Sequence, residues 1–460
     1  MIVKCAGSTS RLRGPVVLLG ATLACLATGP AAAAGAPPGT GAPLGLADVL
    51  RLAAGHSAAA DVAAAEVAAV EAVADRVRAG RWPTVDLSAA YTMRDNPIEA
   101  QAGDLRFPTA EKNSGQYAVE AREVVWDGGR RSQAEAAALA QVEATRLGGL
   151  AGVQQAQLGA VDAYLAALES AGAAHVLEQR RDALRAHLDV VRDMLSHGLV
   201  ARNDVLETEV RAREVDDLLA AVADRRDLAV RDLGRRLGRD PGDVFTLPDS
   251  LPEAPPLADD REQLATAAAG GNASILAATA WVRAGESMHR LAQRSGRPSL
   301  FVGATHAFSE NRFMVHENIN ALQAGVHWNV FDGGARKADA GEAAARTRVA
   351  ARQKLETERA TRVAVDGAWR RWEQARRELQ TARANVEAAR ENLRLVADQY
   401  REGLARSGDV LDAEALLAQS RHDVVRRHYA AYRSQAELLL LAGRDATAFY
   451  GDAAASTGKE

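Results

Sequence analysis

Cysteine is almost missing: Cys5 and Cys25 are the only two in 460 residues. Past residue 25, neither a disulfide nor a thiolate metal site can hold the chain together. Aromatic residues are scarce at 4%, poor material for a thick globular core but suited to helices packed closely through small side chains. Proline is absent between Pro108 and Pro241 and again after Pro298. An interior proline breaks a helix, so these two blanks are where long helices are allowed. Beyond the N-terminal segment, no run reaches the ~18 consecutive apolar residues of a membrane-spanning helix. The formal net charge of −4 gives no general electrostatic reason to bind nucleic acid. Catalytic signatures are lacking too, with no HExxH, Cys/His cluster, Walker A loop, GxGxxG or GxSxG. The expectation is a protein that is not an enzyme and needs no cofactor or metal.

What is present begins with an address. Lys4, Arg11 and Arg13 precede an apolar run from Val16 to Ala27, and AAAAGA follows at Ala31–Ala36. This is the anatomy of a secretory signal peptide, assigned to residues 1–36. TLAC, ending at Cys25, puts Thr where a lipoprotein signal prefers a large aliphatic residue, so the exported chain is expected to be unlipidated.

The rest reads as one plan written twice. VWDGG at Val125–Gly129 matches VFDGG at Val330–Gly334, which places Asp127 and Asp332 205 positions apart. HGLVARNDVL from His197 and EGLARSGDVL from Glu402 share Gly, Leu, Asp, Val and Leu, and Gly198 and Gly403 are again 205 apart. Equal offsets at separate landmarks mean equal intervening lengths, the mark of an internal duplication. Between the landmarks, Leu184, Leu188, Val191 and Leu195 follow the 4-3-4 spacing of a coiled-coil seam. The helices predicted there, Arg131–Ser196 and Arg336–Arg401, have 66 residues each, about 100 Å at 1.5 Å per residue.

Before each DGG the period changes to two. Val85, Leu87, Ala89, Tyr91 and Met93 alternate with polar neighbours, as do Tyr117, Val119 and Ala121, and Leu322, Ala324, Val326, Trp328 and Val330; Leu300–Phe308 alternates less cleanly. Strands of about ten residues with one apolar face suit a barrel wall between lipid and water. A half-buried hairpin has the same pattern, but no segment is left to cover the apolar face. Four strands cannot close a barrel alone, since at least eight are needed, so three chains would contribute twelve. The predicted divisions are a first repeat over 37–240, a linker over 241–260, a second repeat over 261–443 and a flexible tail over 444–460.

This order of signal, duplicated strand–strand–long helix–helix plan, DGG turns and GL…DVL turns resembles the TolC family of outer membrane efflux proteins. The resemblance implies a homotrimer in the outer membrane, mainly α with membrane β, in which one shared 12-stranded barrel continues into an α-helical tunnel through the periplasm. It implies a passive exit duct serving a periplasmic adaptor and an inner-membrane transporter, either ABC or proton-driven, for type I protein secretion or small-molecule efflux. By resemblance, Gly198, Leu199, Val200, Gly403, Leu404 and Ala405 contact the adaptor, and Asp409 and Asp412, with Asp204 and Glu207 in the first repeat, constrict the pore. Ala405 and Ser407 stand where some relatives place basic or bulkier gating residues. Read from the residues themselves, Gly198 and Gly403 fit helix C-termini, and Asp204 and Asp409 fit N-caps. Asp127 and Asp332 can cap the helices after Gly128–Gly129 and Gly333–Gly334, which are assigned as structural strand-to-helix turns. Trp82, Trp126, Trp328 and Tyr91 suit an interfacial belt, whereas Trp369 and Trp372 suit packing within a helix. A periplasmic coiled-coil adaptor, which would carry one hairpin rather than two equal copies, is the alternative, and a helical filament would not need the strands.

Overall fold

The computed structural model describes residues 43–457, apart from 241, 242 and 244; the expected signal peptide lies outside them. The duplication is visible in the element order. The first copy runs α1 (Leu46–His56), α2 (Ala58–Ala79), β1 (Thr84–Met93), a small hairpin β2 (Ile98–Ala102) and β3 (Leu105–Ala110), β4 (Asn113–Trp126), α3 (Arg130–Ser196) and α4 (Arg202–Arg236). The second runs α5 (Arg261–Gly271), α6 (Ala273–Arg294), β5 (Ser299–Ser309), β6 (Asn318–His327), α7 (Ala335–Arg401) and α8 (Ser407–Leu441), and α9 (Ala446–Thr457) ends the chain. The two long helices have 67 residues each, as the proline-free blanks allow.

Four strands form one antiparallel sheet in the order β1-β4-β5-β6, so the second strand of one copy pairs with the first strand of the other. The helices repeat this order: α3 lies between α2 and α6 towards the sheet and between α4 and α8 at the far end, while α7 packs on α6 and α8. The wall is therefore one layer thick along most of its length. A second layer is added at mid-height, where α1 and α9 pack together and α1 rests on α3. There Leu50, Tyr164, Leu165, Leu168, Leu233 and Leu237 form the main buried cluster with Tyr429, Tyr432 and Tyr450.

One backbone device holds each copy to this band. Gly238 ends α4 at φ +67° with its Cα against the carbonyl of His56, and Gly443 ends α8 at φ +67° against Gly271. A Cβ at either would collide with backbone, so both sites require glycine.

Between β1 and β4, the stretch 95–112 carries the β2–β3 hairpin. Two expectations are corrected. The strand alternation predicted through Val330 stops at His327. The tail read as flexible carries α9, in which Tyr450 is 5% exposed and belongs to the main core.

Candidate channel wall and tunnel tip

In an antiparallel sheet, directly paired residues share a face. Val85, Leu87 and Ala89 pair with Ala121, Val119 and Tyr117, which pair in turn with Ala304, His306 and Phe308. Val302 and Ala304 face Ala324 and Leu322. One side is thus largely apolar across all four strands, interrupted by His306 opposite Asn320, by Glu123 beside Val302, and by Asn113 and Asn318 at its far end, and it lies bare: Leu322 is 90% and Met93 76% exposed. On the other side Asp86 faces Glu120, which faces Thr305, and Arg122 stacks 4.3 Å over Phe301. Among the described residues, β1 pairs only with β4 and β6 only with β5, so each leaves one edge of main-chain donors and acceptors open.

At the helical end of the sheet, Trp82, Trp126 and Trp328 are exposed, and Tyr91 is exposed near the far end of β1. The rings of Trp369 and Trp372 meet at a tilt of 56° with centroids 4.9 Å apart, Trp372 being buried. Each strand-to-helix passage is made by a carboxylate and two glycines. Asp127 accepts hydrogen bonds from the main-chain N–H groups of Gly129 (3.1 Å), Arg130 (3.0 Å) and Arg131 (2.9 Å). Asp332 accepts from Gly334 (3.0 Å) and Arg336 (3.1 Å). Gly128, Gly129, Gly333 and Gly334 all have positive φ, the left-handed region that a side chain disfavours. Arg297 and Arg294 of the second copy reach back to the carbonyls of Gly128 and Gly129.

The opposite end is the pair of turns between long and returning helices. After α3, Gly198 at φ 72° donates to Leu195 and Leu199 donates to Met194. After α7, Gly403 at φ 74° donates to Tyr400 and Leu404 to Gln399. Both are Schellman closures, which use a left-handed residue to satisfy the last carbonyls. They leave Leu199 and Leu404 projecting, 72% and 75% exposed, whereas Val200 and Ala405 turn inward onto Leu188, Val191, Val205, Tyr400 and Val410.

The aspartates sit one turn later than N-caps. Ala201 and Arg406 are the N-cap residues, and Asp204 and Asp409 occupy the third helical position, accepting from the main-chain N–H groups of Ala201 (3.1 Å) and Arg406 (2.8 Å). Neither N-cap side chain has an oxygen to offer, so the carboxylate three residues on satisfies a free N–H from inside the helix. Asp409 and Asp412 are exposed on one face of α8, as are positions three apart on a helix. Glu207 is exposed and Asp204 half-buried at the equivalent places on α4.

Contacts between the copies could not be read from spacing. His187 of α3 meets the hydroxyl of Ser407 at 3.0 Å across 220 residues, and its ring lies 5.4 Å from that of Tyr400. Burial holds the His187 imidazole below its usual range and pushes the Tyr400 phenol up, Asp204 adding to the effect. Higher up, Arg421 donates to Gln179 (2.8 Å) and Arg433 to Asp162 (2.7 Å).

Among the described residues, no helix is long and apolar enough to cross a membrane, and no cluster of metal-ligating side chains occurs. A bare apolar sheet face with two open edges, continued by helices of about 100 Å, defines a class: a channel wall that is part barrel and part tunnel. Residues 264–444, from within α5 to just past α8, match the outer membrane efflux protein family. No curated protein matches the sequence. The outer membrane protein VceC from Vibrio cholerae has a similar structure, with a TM-score of 0.73 at 18% identity over 87% of this chain and 96% of that one. The outer membrane channel CmeC of Campylobacter jejuni aligns with a TM-score of 0.74 at 12% identity over 89% and 88% of the two chains. The open-state outer membrane channel MtrE of Neisseria gonorrhoeae aligns at 0.69 with 16% identity over 87% and 89%. The fold class expected from the sequence is thus found, and the second copy matches the family that the sequence resembles.

Proposed function

We propose that three copies of this chain close into a 12-stranded barrel continued by a helical tunnel, forming a passive exit duct for a tripartite export system. The observation that carries this is the sheet: a largely apolar face extends over all four strands, and among the described residues its outer strands β1 and β6 each have an unpaired edge. An open edge and a bare apolar face are costly in water; joining β6 to β1 of the next copy removes the edge, and lipid covers the face. The helices support the same closure. Val62 and Val73 of α2, Leu206, Val210, Leu218 and Leu228 of α4, and Val349, Val363 and Leu395 of α7 are exposed in the single chain. These helices bound the wall, and α7 of one copy would cover α2 and α4 of the next as α3 covers α6 and α8.

Cargo would enter at the periplasmic tip. Gly198, Leu199, Val200, Gly403, Leu404 and Ala405 form the surface offered to a periplasmic adaptor, with the two projecting leucines as anchors. Asp409 and Asp412, with Asp204 and Glu207, form the constriction there and favour cations. Asp409 and Asp204 also complete helix starts, so Asp412 is the residue whose charge is least explained by local structure. Energy comes from an inner-membrane transporter, ABC or proton-driven. The cargo is either a polypeptide, as in type I secretion, or a small molecule, as in efflux. Opening is a shift between closed and open tip conformations driven by adaptor contact.

The test is to insert the detergent-purified protein into a planar bilayer. Discrete, cation-selective steps support the duct; a silent protein that stays in solution without detergent refutes it.

A further inference from the structure

Strand pairing and helix handedness together fix which side of the wall each helix face looks to. Arg94 donates to the Lys112 carbonyl one step beyond the Met93–Asn113 pair, and antiparallel pairs alternate between hydrogen-bonded and non-hydrogen-bonded. Val85, Leu87 and Ala89 are therefore in non-bonded pairs with β4, their main-chain groups pointing away from it. Glu310 donates to the Gly115 carbonyl, so Tyr117, Val119 and Ala121, on the same face, are hydrogen-bonded to β5. In a strand of L-residues running up, a residue whose side chain points at the viewer sends its main-chain groups to the right. Seen from the apolar side with the helices below, the strands thus run β1, β4, β5, β6 from right to left, and the helices joined to them run α2, α3, α6, α7.

On α6, Arg290 and Arg294 reach Gln133 and the Gly129 carbonyl of α3, while Gly285 lies against Thr347 of α7. A right-handed helix running up between those neighbours turns Glu286, Arg290 and Gln293 towards the viewer and Trp281, Ala284, Met288 and Ala292 away. On α3, Glu135 and Gly149 meet α2 and Gln133 meets α6, which turns Ala134, Ala137 and Gln141 away as well. The side turned away is the lumen of the duct proposed above, and the inference rests on that reading.

On that side a groove of about 880 Å³ lies between α3, α6 and α7, within the range of small-molecule sites. Its floor is Trp281, Ala284, Met288 and Leu291 of α6, about 15 Å long, and alanines of α3 and α7 form much of its walls. Trp281 and Met288 are each 44% exposed. Because α6 already has a helix on either flank, closing the ring would leave both side chains bare in a water-filled passage. Of the charges around the groove, Arg131 is held by Glu123 and Asp127, and Arg346 by Glu342. Arg130 and Asp339, at the end nearest the sheet, make no ion pair among the described residues.

We propose that this groove is a luminal binding site for a small amphipathic molecule, with a flat aromatic body against Trp281 and Met288 and a polar end bearing both charges against Arg130 and Asp339. Ring–ring and sulfur–ring contacts supply the attraction. Of the two cargo classes, the small molecule is the one such a groove fits.

Rhodamine B, a zwitterion with a fused aromatic body, is the probe. Added to single channels in a planar bilayer, it should cause brief partial reductions of the current that grow more frequent with its concentration. Trimethylglycine, a zwitterion without rings, should cause none. Trp281→Ala should shorten the reductions about tenfold, and Trp281→Phe, which keeps a ring, should shorten them less. Glu286→Gln, on the opposite side of the wall, should leave them as they are. With Cys5 and Cys25 replaced by alanine, a bulky thiol reagent should abolish them when it modifies Met288→Cys but not when it modifies Glu286→Cys. The inference is overturned if a conducting channel ignores rhodamine B, if trimethylglycine acts as well, if Trp281→Ala leaves the reductions as long as before, or if modification at 286 rather than 288 abolishes them. A protein that does not conduct would instead refute the duct itself, and the luminal site with it.

Discussion

Gln435 offers the sharpest quantitative test of the mid-height band. It is fully buried on α8; its amide nitrogen donates to the Pro255 carbonyl at 2.5 Å, and its amide oxygen accepts from the Tyr450 hydroxyl at 3.2 Å. One side chain thereby ties both the linker between copies and α9 to the tunnel wall. Burial, with Tyr432 beside it, pushes the Tyr450 phenol well above its usual range, so it remains a neutral donor. Gln435→Leu keeps most of the volume but leaves a half-buried carbonyl and a buried hydroxyl unpaired. At about 1–3 kcal/mol for each orphaned group, the band should lose about 2–6 kcal/mol. If the loss falls on α9, its amides should exchange with deuterium about 100-fold faster for a 3 kcal/mol change. Adding Tyr450→Phe removes one of the orphans, so the double variant should regain part of the loss, a coupling that a double-mutant cycle isolates. A single variant with unchanged exchange in α9, or a double variant less protected than Gln435→Leu alone, would refute the reasoning.

Other expectations follow from the same geometry. Asp412→Asn should lower the cation-to-anion permeability ratio measured by reversal potentials; Asp409→Asn should lower it too while keeping an oxygen for the Arg406 N–H, and an unchanged ratio in the pair would remove both from the constriction. Gly403→Ala should cost only about 1 kcal/mol, the ordinary price of a side chain at positive φ. Gly443→Ala should cost more than twice that because its Cβ would also lie 2.4 Å from the Gly271 carbonyl carbon; equal melting temperatures would contradict this. His428, whose ring nitrogen donates to the Leu251 carbonyl at 3.2 Å, is held below its usual range first by burial and then by Arg383, against the raising effects of the Leu251 bond and Glu253. The unfolded chain then binds more protons between the lowered value and about 6.5, so the His428 contribution falls as pH drops through that window. Half-buried Glu414, whose carboxyl is raised by desolvation, acts with the opposite sign. His428→Gln should therefore flatten the acid side of the melting-temperature profile, and an unaltered slope would show that another group governs it.

The features legible in the sequence are those written twice. The DGG passages, the GL…DVL turns and the long helices could be located because a left-handed glycine or a proline-free run leaves a local mark at a fixed offset. Asp204 and Asp409 were displaced by one role: an aspartate before an apolar helix reads as an N-cap, yet Ala201 and Arg406 hold that place and the carboxylate works from the third position. The β2–β3 hairpin was hidden by its short strands and by Pro108 within the second of them. In α9 the small and polar run around Gly451 looked like a loose end, and its order comes from Phe449 and Tyr450 docking on a core assembled from both copies. Links such as His187 with Ser407 leave no local trace at all, because each partner alone is an unremarkable helix residue.

The scarcity of aromatic residues has a structural cause. A wall one helix thick has no interior to fill; each helix buries only the flanks that touch its neighbours, and small residues such as Ala368, Ala375, Ala382 and Ala389 on α7 let the axes approach closely enough to seal it. Apart from Tyr400, buried in the cluster at the tip, large rings are buried where a second layer exists. That is where they lie: Tyr164, Tyr429, Tyr432 and Tyr450 are buried under α1, α9 and the linker, with Phe245 and Phe449 packed against them, and Trp372 is buried beneath α5 with Trp369 packed beside it. The remaining large aromatics mostly face outward on the sheet, where lipid would take the place of a protein core. Away from the mid-height band, stability in such a wall depends on neighbours on both flanks, and the described residues leave flanks uncovered in a single chain. The same composition that looked inadequate for a globular protein is therefore what the proposed ring of thin walls would require, with the next copy supplying the contacts that a core would otherwise provide.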